Sequence, residues 1–322
     1  MSGCEIDVRE ISWVIAPEVG QLIGSVGGAE PHPHPVLAAD VAFLHDLPLI
    51  IVFGGAAVAY VVAARRVSRE HPTQPWSRGR TAAFLTGVAL ALLVTIGPVG
   101  AQAMDRFSVH MVQHLALMML ATPLLVIGAP VLLILRRVRP EVRRLVWVPF
   151  LRSTGFRVIT NPILTWLVFA ATLVGVHFTP AMSWLMDAGY PGHLIEIALY
   201  VTVAFLYYYP LLPGNPCPGR PKPAFRVASL FLMMVPETMT GFFLYVSGAP
   251  LIPHFADMAG ALDLDALSDQ RLGGALMWST SMIIDVGWLA VAVAEWFDSE
   301  AKRTKRMDSQ LAADATAEEG PR

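Results

Sequence analysis

"FSVHMVQHLALMMLATPLLVIGAP", residues 107–130, decides how the rest of the chain is read. The stretch contains no Asp, Glu, Lys or Arg and is long enough to cross a hydrocarbon layer about 30 Å thick as a helix. It nevertheless carries His110 and His114, four positions apart, which stacks two imidazoles on one helix face. Zinc proteases write the same spacing as H-E-x-x-H, with the glutamate serving as general base. Here Met111 stands in that position, and Met118 lies one turn deeper on the same stripe. Imidazoles with thioethers and no carboxylate point to binding rather than hydrolysis. Pro123 and Pro130 predict a bend or break toward the far end of the segment.

Outward from this stretch the chain keeps the same character. Of 322 residues, 55% are hydrophobic and only 15% charged, well below the quarter or so of soluble domains. Apolar windows predict seven spans: residues 45–64, 81–99, 107–135, 162–179, 193–212, 224–247 and 273–297. Strand-like alternation is absent, so the expected class is an all-α integral membrane protein, a seven-helix transmembrane bundle, and not an outer-membrane barrel. Residues 1–44 lack the pattern of a cleavable signal and read as an extracytoplasmic tail. Residues 45–297 form the membrane domain, and the charged, aromatic-poor residues 298–322 read as a disordered cytoplasmic tail.

Charge sets the expected orientation, because Lys- and Arg-rich short loops stay cytoplasmic. The segments after spans 1, 3, 5 and 7 hold twenty Lys and Arg, while the alternate segments hold only Arg9, Arg106 and Arg271. The N-terminus is therefore expected outside and the C-terminus inside. That assignment places Cys4 and Cys217 on opposite sides, so neither a disulfide between them nor a cysteine metal site is expected. It also gathers the histidines. His32, His34, His45, His110, His114, His177, His193 and His254 all fall toward the outer face, leaving His71 alone on the inner side. The outer segments are also acidic and include Met182 and Met186, a surrounding that suits a borderline or soft cation.

The candidate ligands are His110, His114, His177, His193 and Glu196, with Met111 and Met118 as thioether donors. His193 and Glu196 form H-x-x-E on one helix face and read equally as ligands or as a local hydrogen-bonded pair. His177 alone reads as an interface histidine, but its place opposite His193 in a helical hairpin raises it as a ligand. Gln113 could orient one ring. Glu237 and Asp285 lie near the middle of spans 6 and 7 with no base in their helices; they read either as a proton or ion relay or as an interhelical hydrogen bond that fixes packing. In "SDQRLGGALMW", residues 268–278, Ser268 or Asp269 can cap a helix start, and Gly273 and Gly274 allow close backbone approach. The arginines of 136–157, interleaved with "LVWVPF", suit an amphipathic strip on anionic lipid rather than nucleic acid.

These motifs together carry a resemblance. Span 3 as quoted above, "NPILTWLVFAATLVGVHFTP" in span 4 and "DQRLGGALMW" entering span 7 resemble the CtaG family of caa-type cytochrome c oxidase assembly proteins, over roughly residues 40–297. The resemblance implies a multi-pass protein of the bacterial plasma membrane, not an enzyme. It also implies oxidase subunits as partners and copper as the ion bound and delivered at the outer face. The positions matching the family are His110, His114, His177 and His193, with Asp269, Gln270, Gly273, Gly274, Met277 and Trp278 from the second motif. Members commonly read H-x-x-E-H at the start of span 5, whereas this chain reads "HLIEI", with Ile197 in place of the second histidine. A transporter of copper or another metal, using Glu237 and Asp285, is the alternative. A haem protein, with iron between two of the histidines, is a further one.

Overall fold

The computed structural model describes residues 46–318, with side chains through residue 311. The expected N-terminal tail, with Cys4, His32 and His34, lies outside the described residues, as does His45. Among the described residues 85% are helical and no strand occurs. In chain order the helices are α1 (Asp46–Glu70), α2 (Arg78–Thr95), α3 (Gly97–Asp105), α4 (Phe107–Arg137), α5 (Pro162–Phe178), α6 (Ala181–Asp187), α7 (Tyr190–Leu211), α8 (Pro223–Val246), α9 (Pro253–Ala261) and α10 (Ala266–Glu318). Short helical pieces fill the arginine-rich stretch from Pro140 to Ile159.

Six of these helices, α1, α2, α4, α7, α8 and α10, are long and apolar enough to cross a membrane. The pair α5 and α6, bent by 71° at their junction, makes a seventh if it counts as one span. Each falls on one of the seven apolar stretches of the sequence. The periphery is apolar as well: Ile51, Ile163, Phe231 and Ile283 are exposed, the last by 74%. Large apolar side chains turned outward around a helical bundle suit a lipid surround.

Helix α4 contributes to two different cores through different faces. One face packs with α5, α7, α8 and α10 around Phe107, Met111, Met118 and Met119. The other packs with α1 and α2 around Leu117, Leu125 and Leu133. The bend expected near Pro123 takes a particular form. Residues Ala116–Ala121 widen into a π turn, and the helix then resumes through Pro123 to Ile127. Pro123 has no N–H to give the Met119 carbonyl four residues back. The indole Nε1 of Trp288 on α10 donates to that carbonyl instead, at 2.6 Å. The break comes later, at Ala129, which holds a left-handed conformation at φ 54° just before Pro130.

Glycines set the crossing of α8 and α10. A Cβ on Gly274 would lie 2.7 Å from the Gly241 carbonyl oxygen, and one on Gly241 would lie 2.7 Å from the Trp278 amide nitrogen. The two backbones touch there, as small residues permit. Gly273 performs the same service toward α4: a Cβ would meet the Phe107 ring at 2.6 Å.

Two sequence expectations need correction. The start of α10 is capped by Asp265, not by Ser268 or Asp269: its Oδ1 accepts from the Leu267 amide at 3.0 Å and its Oδ2 from the Ser268 hydroxyl at 2.7 Å. Asp269 reaches across to α4 instead, where it accepts from the Ser108 hydroxyl and amide. The stretch from residue 298, expected as a disordered tail, continues α10 to Glu318. Its charges support a helix at local spacing, with Lys302 on Asp298 and Arg303 on Glu300.

Candidate metal centre

The first turns of α4 and α7 face each other inside the bundle and bring three ligand types together. One donor atom from each of His110, His193 and Glu196 lies within 4.8 Å of the others, and all three residues are buried. His114 joins from the next turn of α4, its Nε2 3.5 Å from Glu196 Oε1. The four-residue spacing of the histidine pair does what a helix dictates, and the rings lie tilted against each other at 4.1 Å between centroids.

Hydrogen bonds fix which nitrogen of each ring is free. The Nδ1 of His110 lies 2.9 Å from the Ala103 carbonyl, which can only accept, so Nδ1 carries the proton. Its Nε2 is thereby left as a lone pair in the neutral ring, and it faces Glu196 Oε1 at 3.2 Å. The Gln113 amide donates to the Val94 carbonyl at 2.8 Å, which turns its oxygen toward His193. His193 Nε2 donates to that oxygen at 2.8 Å, leaving Nδ1 free. Metal-binding histidines characteristically have the second nitrogen held in this way. Two imidazole lone pairs and a buried carboxylate share a space with no Lys or Arg ion pair among the described residues. The Oε2 of Glu196 and Nδ1 of His114 have no hydrogen-bond partner among those residues. Such a donor set fits a borderline transition-metal ion.

Helix α9 closes one side of the centre. Phe255 lies against the rings of His110 and Phe107, at 5.2 and 5.4 Å. His254 beside it bonds Asp187 at 2.8 Å and the Met104 carbonyl at 3.1 Å, tying α9 to α6 and α3.

The remaining expected residues separate into other positions. His177 lies beyond His114, 5.9 Å between rings, and not with His193. Its Nδ1 donates to the Leu173 carbonyl at 2.7 Å. Met111 and Met118 are buried alongside it, and Met277 and Glu237 line the same small cavity. Glu237 and Asp285 interact with each other across α8 and α10, and neither forms an ion pair with a base among the described residues. Gln270 is a structural pin: its oxygen accepts from the Leu251 amide at 2.6 Å and its nitrogen donates to the Leu244 carbonyl. Trp278 is half-buried at the α8 crossing. Ile197 packs among Leu49, Phe53 and Leu117, away from the histidines, so Glu196 alone of "EI" reaches the centre. The sequence reading missed Tyr200, whose ring lies 4.2 Å from that of His114, and Phe255; no local spacing links either to the histidine pair.

A family model described as "Cytochrome c oxidase caa3 assembly factor" matches residues 58–299. The chain is 28% identical over 297 residues to an uncharacterized protein of Mycobacterium bovis and, at the same identity, to one of Mycobacterium tuberculosis; the match covers 89% of this chain and 44% of each relative. An uncharacterized protein of Mycobacterium leprae is 27% identical over 270 residues, 80% of this chain and 40% of the relative. The chain thus spans less than half the length of these relatives. No solved structure matches it significantly.

Proposed function

The chain belongs to the family of cytochrome c oxidase caa3 assembly factors, and from that premise we propose that it holds a copper ion between α4 and α7 and delivers it to the oxidase during assembly. One observation carries the reading. His110 Nε2 and Glu196 Oε1 face each other at 3.2 Å, both as acceptors, with His193 within 4.8 Å. Two buried acceptors at that distance are satisfied by a proton or a metal cation shared between them, and the neighbouring imidazoles supply the further donors that favour a metal. The distribution of arginines supports an orientation with this centre toward the extracytoplasmic side of a bacterial plasma membrane. In this reading the protein is a carrier, and the copper is its cargo.

The centre would hold the ion through His110, His193 and Glu196, with His114 close enough to replace one of them. Gln113 and the Ala103 carbonyl keep the rings aimed. Phe255 keeps bulk solvent off His110. A haem is a poor fit, because the Glu196 carboxylate occupies the space beside the His110 and His114 rings that a macrocycle would need.

The test is copper bound per chain in detergent-purified protein, beside His110→Ala and Glu196→Gln variants. Each variant is expected to lose the ion held at this centre, and a deletion strain to regain oxidase activity with added copper. Equal copper in all three proteins overturns the assignment.

A further inference from the structure

Below the centre, toward the middle of the bundle, lies a separate small cavity. It measures about 20 Å³, room for one water or one ion, and adjoins His114 and His177. Four methionines line it: Met111, Met118 and Met119 from α4 and Met277 from α10. The π turn at Ala116–Ala121 explains how adjacent Met118 and Met119 both face inward, since both are buried at 2–3% exposure. Wider turns of this kind recur at functional positions. His177 supplies an independent sign of a ligand. Its Nδ1 proton is spent on the Leu173 carbonyl, and its Nε2 is buried at the cavity without a partner among the described residues.

We propose that this cavity is a second ion site, selective for a soft monovalent cation held by the His177 imidazole and methionine thioethers. Thioethers bind soft ions such as Cu(I) and give little to Zn(II) or other harder ions, which sets this site apart from the imidazole and carboxylate centre. His114 borders both spaces, 3.5 Å from Glu196 Oε1 on one side and 5.9 Å from the His177 ring on the other. It is the residue through which an ion passes between them. Glu237 also lines the cavity. The proposal rests on the copper reading for its natural ion, yet the two sites use different residues and fail separately.

The experiment titrates the full-length protein in detergent with Ag(I), a redox-inert soft monovalent probe, and separately with Zn(II). The variants are Met111→Leu/Met118→Leu/Met277→Leu, which conserves volume, and Glu196→Gln. The methionine variant is expected to bind one Ag(I) fewer per chain with unchanged Zn(II), and Glu196→Gln to lose Zn(II) while keeping the methionine-dependent Ag(I). X-ray absorption of the silver-loaded protein is expected to show sulfur neighbours that vanish in the methionine variant. Should that variant keep its silver, or the wild type show only nitrogen and oxygen neighbours, the second site is overturned and the upper centre stands. Zn(II) binding unchanged by Glu196→Gln, with methionine-dependent silver retained, overturns the upper centre alone.

Discussion

His193 and Gln113 are joined by one hydrogen bond, 2.8 Å from ring Nε2 to amide oxygen, and that bond sets the tautomer of the neutral ring. The amide is itself fixed by the Val94 carbonyl, so α2, α4 and α7 meet in a chain of donors with a single direction.

Replacing Gln113 with Leu removes the direction without removing a ligand. The imidazole of His193 can then rotate or take the other tautomer. Metal affinity is expected to fall about 10- to 100-fold, while the number of ions bound at saturation stays the same. Competition against a chelator of known affinity measures this; unchanged affinity would show that the ring is oriented by packing alone.

The indole of Trp288 satisfies a carbonyl that Pro123 cannot serve. Trp288→Phe leaves the Met119 oxygen without its donor and is expected to destabilise the bundle by about 1–3 kcal/mol. Pro123→Ala in the same background returns an N–H to that turn and recovers part of the loss. Thermal unfolding of the two single variants and the double variant in detergent checks the coupling.

Asp265 caps α10 from an exposed position, and the Ser268 hydroxyl, then the Leu267 and Ser268 amides, hold its carboxyl below the usual value of 3.8. A depressed carboxyl stabilises the fold in full above its ordinary value and loses that contribution as the pH falls through the lower, folded one. The stability gap between wild type and Asp265→Ala is therefore expected to be constant near neutrality and to close in strong acid. A gap unchanged down to pH about 2 contradicts the cap.

Cys217 lies in the turn between α7 and α8, on the arginine-rich side, and burial pushes its thiol above the ordinary value of 9.0. In a Cys4→Ser background a membrane-impermeant maleimide is expected to label it slowly, faster as the pH rises, and only in inside-out vesicles. Labelling of intact spheroplasts would reverse the orientation given by the arginines.

The helical spans were legible because apolar length alone specifies them, and the histidine pair because a four-residue spacing has one geometric meaning on a helix. His193 and Glu196 followed from the same rule applied to α7. Their contact with His110 did not, since it spans 86 positions and depends on how α4 and α7 dock. His177 was grouped with His193 from their shared hairpin, yet the 71° bend between α5 and α6 accompanies its placement beside His114 instead. The cap of α10 was misplaced because Asp265, Ser268 and Asp269 are all competent by type. Only the structure shows that Asp269 is engaged elsewhere, on Ser108 of α4. Residues past 298 look unstructured by composition, while their charge spacing sustains a helix that begins in the apolar bundle.

The bond from Trp288 to Met119 joins groups 169 positions apart, which bears on how the polypeptide is made. At about 5–20 residues per second, the ribosome adds the tryptophan roughly 10–30 s after the methionine. Throughout that interval the newborn third span carries two imidazoles, an amide and an uncapped backbone oxygen that hydrocarbon cannot solvate. It must wait in the insertion machinery, or beside earlier spans, until the final one arrives to lock it.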